Sequence, residues 1–191
     1  AFDNAISSVD FTSFSTPALK DTTCMFFEAG AENAIALMTS WDLSALKKAA
    51  LMFYNTGFQK IDLAGTNPSA LEDARYMFYK NTYLSTFGTD ALSSWTLPLV
   101  SNAKYMFADD ARLAALNTTN WGMGSVEDMS YFAEGCETLT TLDTSKWNIQ
   151  PSLSNIDFAF YGVSKVSEID ISNWETSGIK YGRFAFAEMS M

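Results

Sequence analysis

The sequence contains no histidine and only two cysteines, Cys24 and Cys136, in 191 residues. Without histidine, Ser–His–Asp and Cys–His catalysis are excluded, and so is the commonest ligand of zinc. The cysteines form no C-x-x-C, so nothing supports a redox or zinc site, and no metal or cofactor is expected. Basic residues are scarce as well: 12 Lys and Arg stand against 22 Asp and Glu, a net charge of −10. A surface of that sign repels nucleic-acid phosphate and anionic membrane, and it favours cations or basic partners. No apolar run approaches the ~20 residues of a membrane span, so no transmembrane segment is expected. The sequence opens at Ala1 rather than Met and shows no signal peptide, as expected of a secreted chain whose leader has been removed. Apolar residues are abundant: 48% are hydrophobic and 15% aromatic, enough for a large core.

"TLDTSKW" at 141–147 and "EIDISNW" at 168–174 place Asp, Ser and Trp at the same offsets. They belong to a repeat of about 27 residues. A Phe that usually follows Met anchors the copies: Phe26, Phe53, Phe78, Phe107, Phe132, Phe160 and Phe186. Another aromatic stands about twelve residues earlier, at Phe14, Trp41, Trp95, Trp121, Trp147 and Trp174, with Thr66 the exception. Seven copies fill one domain, 1–191, from about Ile6 onward, ending near 30, 57, 82, 111, 136, 163 and 191.

The first half of each copy has a strand-like pattern, apolar at positions 1, 4, 6 and 9, as in Leu139, Leu142, Thr144 and Trp147. This matches the leucine-rich-repeat frame with an aromatic in place of its usual Asn. Copies two and four fit less well, with Ala36 small and Asp90 polar. The second half reads as helix. Leu19, Leu46, Leu71, Val100, Leu153 and Ile179 lie seven residues before their anchors, two helical turns on one face, while Val126 is shifted by one. Gly30, Gly57, Gly135 and Gly162 sit where helix stops would. The expected fold is therefore an α/β repeat: a leucine-rich-repeat solenoid of about seven strand–helix units, with a parallel sheet on one face and Trp and Met–Phe columns inside.

"LDTSKW", "IDISNW", "YMFYKNTYL", "MFYNTG" and "YFAEGCETLTTLDTS" resemble the BspA-like leucine-rich repeats of microbial surface proteins, over essentially the whole chain. The resemblance implies a secreted or surface-attached chain with a part in adhesion. No lipoprotein Cys stands at the start of the sequence.

Strand alternation points two rows outward. One holds Asp10, Asp62, Asn117, Asp143 and Asp170; the other holds Thr12, Ser93, Thr119, Ser145 and Ser172. Three readings compete: internal capping of backbone amides by the carboxylates, a docking face for a protein or glycan, and an ordered inorganic surface such as ice. Calcium needs 6–8 converging oxygens, which a linear row does not supply. Asp143 and Asp170 on neighbouring strands are the nearest approach to a catalytic carboxylate pair, but a position kept through the repeat reads as architecture rather than an active site. The function expected is non-enzymatic: an extracellular or cell-surface binding or adhesion module for a protein or glycan, the partner basic if electrostatics steer it. The alternative is a structural subunit packed against neighbouring subunits through ends that carry no dedicated cap. Asn117-Thr118-Thr119 is a glycosylation sequon. Four rungs at about 4.8 Å separate Cys24 from Cys136 by roughly 19 Å, beyond the ~7 Å of a disulfide, so both are expected unpaired and mostly buried.

Overall fold

A computed structural model describes residues 7–88 and 91–189. Ile6 and Asp90, two positions of the repeat frame, lie outside the described residues. The repeats stack one upon another, as a ladder of parallel bridges shows: Asp21 to Lys48, then Asp73, Asn102, Asp128, Asn155 and Tyr181. Trp147 and Trp174 lie one above the other at 5.9 Å.

The strand–helix leucine-rich-repeat solenoid is not what the chain forms. Among the described residues there is no α-helix, only single 3₁₀ turns at Ala91–Ser94 and Thr176–Gly178. Nor do the described residues form one continuous sheet. Strands β1 (Ser8–Asp10), β2 (Ala34–Leu37) and β3 (Phe58–Asp62) pair in parallel, and β4 (Ala115–Leu116) and β5 (Thr141–Leu142) form a separate pair. Among the described residues, the strand side of the fourth copy shows one bridge, from Lys60 to Thr86, before its 3₁₀ turn.

Backbone conformation explains the missing helices. The residues two before and two after each anchor have positive φ throughout. Cys24, Leu51, Tyr76, Tyr105, Tyr131, Phe158 and Phe184 lie between 53° and 59°, and Glu28, Asn55, Lys80, Asp109, Gly135, Gly162 and Glu188 between 49° and 74°. A left-handed residue every four positions stops a right-handed helix before it can propagate. The same reversals turn alternate amides sideways. Cys24, Phe26 and Glu28 donate to the carbonyls of Ala50, Met52 and Tyr54 in the next coil, and every junction repeats the pattern. Each left-handed residue costs about 1–2 kcal/mol. A bond between coils returns about 1 kcal/mol, and side-chain stacking adds to it. None of the seven residues before the anchors is β-branched, as sterics at positive φ require.

This bonding pattern corrects the fifth copy. Ala133, not Phe132, donates at the anchor position, to Ala159, while Phe132 accepts from Phe107 as Met52, Met77 and Met106 do in their copies. Val126 then stands seven before its anchor like every other copy. The Phe column changes accordingly: Phe26, Phe53, Phe78 and Phe107 stack within 10° of parallel, whereas Phe132 turns 72° to Phe107.

The Trp column is internal. Trp41, Trp95, Trp121, Trp147 and Trp174 are buried, and each of the first four donates its indole N–H to the preceding coil. Thr66, in the Trp position of copy three, accepts the Trp95 indole N–H on its hydroxyl at 3.1 Å.

Candidate functional site

The outward rows are largely tied to themselves. Asp10 Oδ1 accepts the Thr12 N–H at 2.8 Å and its hydroxyl at 2.6 Å. Asp143 does the same for Ser145 at 3.0 and 2.6 Å, and its Oδ2 accepts the Thr119 hydroxyl at 3.0 Å. Asn117 Oδ1 lies 2.7 Å from that hydroxyl, so the sequon's amide oxygen is engaged within its own turn. Asp170 caps the Ser172 N–H at 2.8 Å. Asp62 caps the Ala64 N–H and pairs with Lys60 at 2.8 Å. Ser93 is half-buried, and its carbonyl accepts from Asn120. Asp42 and Ser44 form one more such pair outside the rows.

These contacts set the charge of the rows. The Thr12 hydroxyl and amide hold the Asp10 carboxyl below the usual range, as Ser145 and Ser172 do for Asp143 and Asp170. Neither Asp143 nor Asp170 therefore carries near pH 7 the proton that a general acid would give. No cluster of three or more potential metal ligands occurs among the described residues. No helix among them is long and apolar enough to cross a membrane.

A second feature lies on the other outer side of the coils. The left-handed residues before the anchors line up from coil to coil, and five are aromatic. Tyr76 stacks on Tyr105 at 4.8 Å, Tyr105 on Tyr131 at 4.3 Å, Tyr131 on Phe158 at 5.0 Å and Phe158 on Phe184 at 5.2 Å. Tyr79 joins this file at 5.2 Å from Tyr105 and links it through Tyr54 to Phe27. The result is one aromatic band running from the first coil to the last. Its rings are half-buried or exposed. From Tyr76 to Phe158 neighbouring planes are within 9° of parallel, so the ring faces cover each other and the edges face solvent. Lys80 and Lys104 lie over Tyr79 and Tyr105. Burial, with the neighbouring Tyr131 and Tyr76, raises the Tyr105 phenol above its ordinary pKa. The band was readable in the sequence as the Tyr of two successive "YMF" stretches and the first Phe of two "FAF" stretches.

A buried polar column stands three residues after the anchors. The Thr56 hydroxyl donates to Asn81 Oδ1 at 2.6 Å, and the Asn81 N–H donates to Asp110 Oδ1 at 2.8 Å. Cys136 follows, its Sγ 3.0 Å from the Phe107 carbonyl. Burial pushes both the Asp110 carboxyl and the Cys136 thiol well above their ordinary values. Both cysteines are free; Cys136 is buried, but Cys24 is exposed at the head of the file that becomes the aromatic band.

No curated protein and no solved structure is significantly similar to the chain. One family does match, described as "Mycoplasma protein of unknown function, DUF285", over residues 1–116 and again over 110–191. Two overlapping matches along a single stack agree with a family defined by its repeated unit, and the chain belongs to this DUF285 family.

Proposed function

We propose that the chain is a non-enzymatic binding module of the cell-surface or extracellular kind, acting in adhesion to a protein partner. The observation that carries this reading is the aromatic band. Monomeric proteins rarely leave contiguous apolar patches open unless they serve contact. Tyr is enriched at interfaces because it offers large contact area at small entropic cost, with a phenol at its tip. A protein partner fits better than a glycan, since stacking a sugar needs an open ring face and these faces cover one another at 4.3–5.0 Å. The resemblance of "LDTSKW" and "IDISNW" to BspA-like surface proteins supports the location. The net charge of −10 supports a basic partner. The strand-side rows, with their carboxylates already accepting from Thr12, Ser145 and Ser172, contribute charge more than contact.

The test is binding of the immobilised chain to a panel of extracellular-matrix and cell-surface proteins and to a glycan array. The expected result is protein binding that falls at least tenfold in a Tyr105→Ser/Tyr131→Ser variant and persists in Asp170→Asn. Glycan binding alone, or protein binding indifferent to the tyrosine variant, would refute the reading.

A further inference from the structure

Two tyrosines in the middle of the aromatic band meet as no other pair of its rings does. Tyr105 of the fourth coil and Tyr131 of the fifth lie with ring centroids 4.3 Å apart and planes within 4° of parallel. The other neighbouring rings of the band stand 4.7–5.6 Å apart. The backbone imposes the arrangement. Both residues are left-handed, at φ 54° and 59°, and the Tyr105 amide donates to the Ser130 carbonyl of the next coil at 3.0 Å. Equivalent side chains therefore leave the two coils one above the other. Both rings are half-buried, so an oxidant reaches their edges without unfolding the stack.

The surroundings set this pair apart chemically. Tyr54, Tyr79, Tyr76, Tyr105 and Tyr131 form an unbroken run of phenols with centroids 4.3–5.6 Å apart. Phe27 bounds the run beyond Tyr54, and Phe158 bounds it beyond Tyr131. A ring without a phenol is far harder to oxidise by one electron. An electron vacancy created on any of the five tyrosines thus passes between rings in contact and stays within the run. Tyr79 meets Tyr54, Tyr76 and Tyr105 at 58–61°, so its ring face overlaps none of theirs. Tyr76 and Tyr105 are stacked but more distant, at 4.8 Å.

We propose that Tyr105 and Tyr131 form an oxidative cross-linking site, at which hydrogen peroxide, used by a haem peroxidase, joins the two phenols into an intramolecular dityrosine. Each phenol gives up one electron and its O–H proton. Peroxide takes both electrons and both protons and leaves as two waters. The unpaired spin of a phenoxyl ring is shared with the carbons ortho to its oxygen, in the π system above and below the plane. Stacked faces turn those lobes toward each other, and one C–C bond forms between ortho carbons. The proton on each joined carbon then moves to its oxygen, which restores both phenols. The net change in the chain is the loss of two hydrogen atoms. Holding the rings in one geometry replaces the encounter of two free radicals by a step within one molecule. The bond ties the fourth coil to the fifth on the outer side of the stack. It rests on the stacking of these rings and is independent of what binds the band.

The experiment treats the whole chain at low concentration with a haem peroxidase and limiting peroxide, then follows dityrosine fluorescence and maps linked peptides by mass spectrometry. The expected product is a monomer whose dominant link joins Tyr105 to Tyr131. Tyr131→Phe keeps a ring in the stack, as Phe158 does in the next coil, but removes the phenol. Its monomer is expected to form at least fivefold less dityrosine, with an unchanged circular dichroism spectrum. Tyr83→Phe, outside the run, is expected to leave the yield unchanged. A native chain that forms no dityrosine, or one linked chiefly between copies or at another pair, would overturn the proposal. So would a folded Tyr131→Phe chain with the wild-type yield.

Discussion

Replacing Asp110 by Asn is expected to stabilise the fold near neutral pH and to flatten its pH dependence. Asp110 is fully buried; its Oδ1 accepts the Asn81 N–H at 2.8 Å, and its Oδ2 has no partner. Burial raises this carboxyl well above its ordinary value. The folded state therefore keeps the proton after the unfolded chain, with a carboxyl near pKa ~3.9, has lost it. The folded state is favoured fully below that value. Stability then falls as pH rises toward the folded pKa, by up to about 1.4 kcal/mol per pH unit. The carboxyls of Asp10, Asp21, Asp42, Asp143, Asp157 and Asp170 are lowered instead, so their contributions are complete above about pH 4 and add no slope there. Glu134, raised by burial, adds a smaller slope of the same sign as Asp110. Asn keeps the acceptor that Asn81 needs and carries no charge. Asn Nδ2 stands as unpartnered as Oδ2, so the gain comes from the charge alone and grows as pH rises toward the folded pKa, at up to about 1.4 kcal/mol per pH unit. That corresponds to a Tm higher by several degrees, at about 2–4 °C per kcal/mol for a chain of this size. Thermal melts followed by circular dichroism between pH 5 and 7.5 decide the matter. A wild-type chain as stable at pH 7.5 as at pH 5, or a variant that keeps the wild-type slope, would refute the reasoning. Asp110→Leu separates charge from bonding: it too removes the charge but strands the Asn81 amide, so it should be less stable than Asp110→Asn at every pH, by about 1–3 kcal/mol.

Thiol titration of the native chain should find one fast site, Cys24, with Cys136 reacting only after unfolding, because its thiol is buried and raised. Two fast thiols would contradict the position of the fifth coil. Gly162 has φ +74° and nothing within 3.9 Å of an added Cβ, so Gly162→Ala should cost about 1 kcal/mol of strain, and Gly162→Val distinctly more, in urea melts. Trp121→Ala should cost about 3–5 kcal/mol in the same melts. It opens the centre of the stack between Trp95 and Trp147 and removes the donor to the Leu92 carbonyl.

The sequence revealed what is buried better than how the backbone turns. Trp147 and Trp174 recur at one offset because a buried ring in one coil needs a buried ring above it, and composition records that need directly. The helical reading failed because the seven-residue step from Leu46 to Phe53 serves two helical turns and a chain reversed at Leu51 equally well. Positive φ is invisible where Tyr, Leu or Phe adopts it; in these two files only Asn55, Asp109, Gly135 and Gly162 are of residue types that signal it. The fifth anchor was within reach, since Val126 stands seven before Ala133, but the ring of Phe132 outweighed the spacing. The Asp–Ser and Asp–Thr pairs were legible as caps because their chemistry is local, two residues apart.

The left-handed positions also decide which surface is free to change. At Tyr131 the backbone amide donates to the Asp157 carbonyl at 2.8 Å whatever side chain it carries, while the ring reaches outward to Tyr105 and Phe158. The fold at that position thus depends on the main chain, and the ring can differ from coil to coil, as Cys24, Leu51, Tyr76 and Phe184 already do in the same file. The strand side has the reverse arrangement: the Asp143 side chain itself satisfies the amide of Ser145, so replacing it uncaps the turn. A surface whose side chains are released from structural duty is the one on which a binding specificity can be written without unfolding the stack.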